Sequence, residues 1–115
     1  MYQFSYEEIQ ADSIADAKDR ERQVLSRSIE LLRAAREAGP NSHEAIEAIL
    51  FMNRLWTSFL EDLASSDNEL PAELRANLIS IGIWLLREGE AIRQGRSQNF
   101  DGLIEVSEII RDGLK

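Results

Sequence analysis

Between Asn41 and Ser65 the apolar residues return at three- and four-residue spacing around well over half of a helical circumference, so a helix here must be covered on two sides. Ala45, Ile46, Ala48, Ile49, Leu50, Met52, Leu55, Trp56, Phe59, Leu60 and Leu63 all fall within that arc. A single helix so broadly apolar is the central post of a bundle. The 115 residues around it suit one domain, because either half alone would bury too small a core.

Capping signals supply three companions. Ser13, with Asp16 three residues on, predicts the start of a first helix over about 14–38, and Gly39-Pro40 provides its exit. Asn41 with Glu44 resembles a capping box and opens the second helix, over about 42–64, which Ser65-Ser66-Asp67-Asn68 ends. Pro71 at a first helical position and Gly95 at the exit bracket a third helix over 71–94. Asn99 or Asp101 starts a last one, over 101–114. The expected fold is therefore all-α, a compact bundle of about four helices in one domain. Gly82 and Gly89 lie one heptad apart on the third helix, where they would let another backbone approach closely.

Charge narrows the partners. With 21 acidic and 13 basic side chains the formal charge is -8, a field that repels phosphate backbones and anionic lipid surfaces. There is no cysteine, so disulfides, thiolate nucleophiles and sulfur-built zinc sites are excluded. The opening Met1 to Tyr6 has neither the basic nor the continuous apolar portion of a secretory signal, and Leu78–Leu86 is far short of the roughly 20 residues needed to span a bilayer. A cytoplasmic location is expected.

Catalytic chemistry finds little support. The glycines form neither a P-loop nor a dinucleotide fingerprint. His43, the one histidine, reads as a solvated residue at a helix start; with Glu47 it shares a helix face, but a bundle di-metal site needs a Glu-x-x-His pair on each of two helices. The acidic pairs Glu7-Glu8, Glu61-Asp62 and Glu88 with Glu90 alternate with arginines and read as solvated faces, and Glu30 with Arg33 reads as an intrahelical ion pair. No enzyme activity, cofactor or metal is expected.

Residues that break the pattern point instead to a protein partner. Glu21 and Asn53 interrupt apolar arcs, so each finds a partner or the arc is partly open. Phe51 and Trp84 fall on the polar sides of their helices, either capping the core edge or anchoring a partner. Phe51, Met52, Leu55, Phe59 and Trp84 are the candidate docking residues, with Met52 the adaptable one. Tyr2, Phe4 and Tyr6 read as a packed arm, the alternative being that they help cover a groove.

The stretches MYQFSYEE, RSIELLRAAREAGPNSHEAIEA from Arg27, RLWTSFLEDLAS from Arg54, LPAELRANLISIGIWLLRE from Leu70 and RQGRSQNFDGLIEVSEIIRDGL from Arg93 together resemble the FlaF family of bacterial flagellar biosynthesis regulators. The likeness covers nearly the whole chain, and it rests on order and co-occurrence, since none of the stretches is a chemical motif. It implies a cytoplasmic protein that binds flagellin in a chaperone-like way and promotes its synthesis and export, acting with or against the translational regulator FlbT. The alternative it implies is control of flagellin messenger translation, directly or through FlbT; the charge balance argues against direct RNA contact.

Overall fold

Four α-helices follow one another, α1 (Tyr6–Ala38), α2 (His43–Ala64), α3 (Ala72–Arg93) and α4 (Phe100–Asp112). The structure is a computed structural model that describes residues 6–113, with side chains from residue 16 onward. No strand occurs among the described residues, and the all-α bundle is as expected.

The first boundary is corrected. α1 starts at Tyr6, so Ser13 lies within the helix and does not cap it. The segment before Ser13 contains Glu7, Glu8, Gln10 and Ala11 and neither glycine nor proline. Such residues propagate a helix, acidic side chains favour its N-terminal end, and one interior serine costs only a few tenths of a kcal/mol, about what give. Tyr2, Phe4, the side chains of Tyr6 and Ile14, and Leu114 lie outside the described residues.

The other boundaries move by one or two residues. Ser42, not Asn41, caps α2: its hydroxyl accepts from the Ala45 N–H at 3.1 Å and donates to the Gly39 carbonyl at 2.6 Å. Pro71 stands just outside α3 as its N-cap, without a side-chain cap hydrogen bond. Asn99 caps α4 by accepting from the Gly102 N–H at 3.0 Å, which settles the choice between Asn99 and Asp101. Gly39 and Gly95 turn the chain with φ of 102° and 77°, a backbone conformation that favours glycine.

Successive helices run up, down, up and down. Glu21 of α1 lies near Asp62 of α2, so the start of one meets the end of the other. Gly82 of α3 faces Trp56 and Leu60, and Gly89 faces Met52 and Ile49. α4 descends along α1, with Arg36 to Asp101 at 2.8 Å and Arg33 to Glu108 at 3.3 Å. These pairs are exposed and solvent-screened, so they report alignment more than they hold it. Arg33 thus pairs across helices, and Glu30 pairs instead with Arg27 at 3.3 Å.

α2 is the central post, with α1 on one side and α3 on the other; α1 is flanked by α2 and α4, while α1 and α3 do not meet. The core is drawn mainly from Leu25, Ile29 and Leu32 of α1, Met52, Leu55 and Trp56 of α2, Leu85 and Ile92 of α3, and Phe100, Leu103 and Ile104 of α4.

Candidate functional site

Three apolar stripes converge on the axis of the bundle; those of α1 and α3 lose their cover along their length, and that of α2 opens at Phe59 before closing again at Leu63. On α3, Ile92, Leu85, Ile81, Leu78 and Leu74 share one face. Ile92 and Leu85 are fully buried, Ile81 and Leu78 half-buried, and Leu74 is 45% exposed. On α2, Ala45 and Met52 are buried and Phe59, one heptad on, is half-buried. On α1, Leu32 and Leu25 are fully buried whereas Val24 is 37% exposed and Ala17 and Glu21 are half-buried.

The cause is a difference in length. α3 has 22 residues and α4 has 13, so at 1.5 Å per residue they span about 33 Å and about 20 Å. Both lie against the same end of the bundle, joined by the short turn through Gly95, so α4 stops about 13 Å short of the far end of α3 by the same rise. Beyond that point α1 and α3 stand apart on either side of α2. What remains is an open apolar groove with Phe59 as its floor, Glu21 and Val24 on one wall, and Leu74, Leu78 and Ile81 on the other.

Of the five candidate docking residues, the structure brings one, Phe59, to this groove. Phe59 forms the floor and meets Trp56 edge-on, ring centroids 5.3 Å apart at 86°. Trp84, 38% exposed, follows Ile81 by one helical turn and lies on the part of α3 that α4 accompanies, outside the groove. Met52 and Leu55 are core residues and have no surface to offer a partner in this conformation. Phe51 is half-buried on the side of α2 turned away from α3, since Asn53, two positions on, is the residue that approaches Gly89. The five do not line one cleft, because the arc of α2 that carries them is divided between α1 and α3.

The walls were visible in the sequence as core stripes, but not as an open surface. The signal was the mismatch between a last helix of 101–114 and a third of 71–94, which leaves part of the third without a partner.

Glu21 gives the groove its charge. Its carboxyl is held above the usual range chiefly by burial and next by the nearby Asp62 carboxylate, with Lys18 and Arg20 pulling the other way. Glu21 and Asp62 take no part in an ion pair among the described residues. A folded-state pKa above the unfolded one means that Glu21 destabilises the fold once it ionises, so its penalty is absent below about pH 4.5 and develops as pH rises through the folded value. Glu21→Gln is therefore expected to melt at a higher temperature than the parent at pH 7, with the gap closing as the pH falls toward 4.5. Calorimetric scans at the two pH values check this; a gap that widened in acid would refute it.

Among the described residues Asn53 Oδ1, buried near Gly89 of α3, finds no hydrogen-bond partner, nor do Trp56 Nε1 and the buried hydroxyls of Ser28 and Ser107. A shallow depression on the outer face of α1 is lined by Asp19, Arg22, Gln23, Ser26, Arg27 and Glu30. All six come from one helix and their charges alternate, which makes it a solvated face. Among the described residues no group of three or more His, Cys, Asp or Glu is placed to hold a metal ion, and no helix is long and apolar enough to cross a membrane.

Searches of characterised proteins and of solved structures returned no match. The family model for the flagellar protein FlaF matches residues 2–114, taking in all four helices and the groove between them, and the chain accordingly belongs to the FlaF family.

Proposed function

We propose that this protein is a cytoplasmic, chaperone-like regulator that binds flagellin and promotes its synthesis and export. Membership of a flagellar family supplies the biological setting. The open groove supplies the means: apolar side chains on three helices left without cover are the surface on which an amphipathic helix docks through residues spaced i, i+3, i+4 and i+7. A subunit that must stay unassembled until export needs its amphipathic ends shielded, and an acidic carrier of net charge -8 stays soluble while doing so.

Calorimetric titration of monomeric flagellin into the purified chain tests this reading, alongside flagellin lacking either terminal region. Binding to the intact subunit that is lost with one of the truncations is the expected result. Trp84→Ala should leave the fold intact, because the side chain is 38% exposed, and should weaken binding by about 2 kcal/mol if Trp84 anchors the partner, the loss typical of an aromatic anchor. Flagellin that fails to bind, together with salt-dependent binding of a flagellin messenger leader by this protein alone, would transfer the role to translational control. A messenger effect that needed FlbT as well would make FlbT the partner.

A further inference from the structure

α4 is seated differently from the other three helices. Its fully buried positions are Phe100, Leu103, Ile104 and Ser107, the i, i+3, i+4 and i+7 spacing of a helix laid into a groove. The first three join the core shared with Leu25, Ile29 and Leu32 of α1 and Leu85 and Ile92 of α3. The fourth is a serine only 1% exposed, and its hydroxyl finds no hydrogen-bond partner among the described residues. From there to Asp112 no residue of α4 is fully buried, and Ile109 is 64% exposed.

Little else holds this helix. Among the described residues α4 runs along α1, meets α3 only sparsely and does not approach the backbone of α2. Its cross-helix ion pairs, Arg36 with Asp101 and Arg33 with Glu108, are exposed and screened by solvent. With 13 residues it is marginal as a helix on its own in water. The rest of the bundle does not depend on it in the same way, because α2 lies between α1 and α3 and the close contacts at Gly82 and Gly89 are with residues of α2 alone. We propose that α4 is a releasable lid, which leaves α1 and melts while α1, α2 and α3 stay packed, with the unpaired Ser107 hydroxyl setting how often it opens.

Two opposing terms fix the balance. Closing the lid buries three large apolar side chains, which favours the closed state. Closing also takes the Ser107 hydroxyl out of water without replacing the hydrogen bond it loses, which favours opening. The lid is therefore closed most of the time, yet it opens far more readily than the whole bundle unfolds. Each opening uncovers core surface of α1, so the state of the lid decides whether that surface is presented. This motion belongs to the chain alone and stands independently of the flagellin-binding reading.

Amide hydrogen exchange on the intact chain, followed helix by helix at rising low concentrations of urea, tests the proposal. The amides of α4 are expected to exchange at least about a hundredfold faster than those of α2, after correction for intrinsic rates, and to respond little to urea. Those of α2 should accelerate steeply, because they wait for global unfolding. Ser107→Ala removes the unpaired hydroxyl and should slow exchange in α4 by about tenfold or more. Helix propensity alone accounts for about two- to threefold, and Ile109→Ala, at an exposed position of the same helix, measures that share. Equal rates and equal urea slopes in α4 and α2 would make the four helices one cooperative unit and overturn the lid. Slowing by Ser107→Ala no greater than that by Ile109→Ala would overturn the role of the hydroxyl.

Discussion

Trp56→Ala is expected to lower the unfolding free energy by about 3–5 kcal/mol, the range for removing a large aromatic side chain from a packed core. Trp56 is only 1% exposed, its ring lies under the backbone of α3 at Gly82, and it meets the Phe59 ring edge-on. Removing it takes away the ring that packs against α3 at Gly82. It also removes the surface on which the floor of the groove rests. Trp56→Phe should cost considerably less, because the indole Nε1 has no hydrogen-bond partner among the described residues and an aromatic ring is kept. Urea titrations of the parent and both variants measure this, with helix content as the common probe. A loss below about 1 kcal/mol for the alanine variant would mean that α3 is not held where the structure places it.

What could be read from the sequence and what could not divide along a physical line. The wide apolar arc of α2 depends on periodicity alone, and it correctly gave a post covered on two sides. Gly82 and Gly89 were also legible, because two glycines one heptad apart on an apolar face have few uses besides close approach. Caps were legible to within a residue or two, since Asn41, Ser42 and Pro71 are all competent near a helix start and only the path of the turn after Gly39 selects Ser42. The start of α1 was not legible, because a serine in a helix interior costs too little to distinguish it from a cap.

The exposure of the candidate docking residues was the least legible. Met52, Leu55 and Phe59 share an apolar arc, but which of them is covered depends on where a helix elsewhere in the chain stops. Sequence spacing places residues on a face; it does not say how far along that face a neighbour extends. Glu21 illustrates the converse. A carboxylate in an apolar arc signals either a partner or an opening, and here its half-exposure identifies an opening.

Gly82→Leu is expected to destabilise the protein by more than about 3 kcal/mol, and Gly82→Ala by about 1–3 kcal/mol, because both overpack a contact that is already closed. A Cβ at position 82 would lie 2.8 Å from Trp56 Cε3 and 2.9 Å from Leu60 Cδ2. The leucine branch can rotate away, but the indole is wedged between helices, so α3 itself has to move. Gly89 is the internal comparison. A Cβ there would meet Met52 Cε at 2.8 Å, the far end of a flexible side chain, with Ile49 Cγ2 next at 3.5 Å. Gly89→Ala is therefore expected to be neutral or to gain up to about 1 kcal/mol from helix propensity. The two alanine variants make the same chemical change on the same helix, so helix propensity cancels between them and their difference isolates the rigidity of what each methyl meets. Chemical denaturation of both, and of Gly82→Ala combined with Trp56→Leu, measures that difference. The double variant should be more stable than the sum of its two single losses implies, because the smaller side chain makes room for the new methyl. Equal losses at 82 and 89, or strict additivity with Trp56→Leu, would show that α3 does not pack on α2 through Gly82 against the indole.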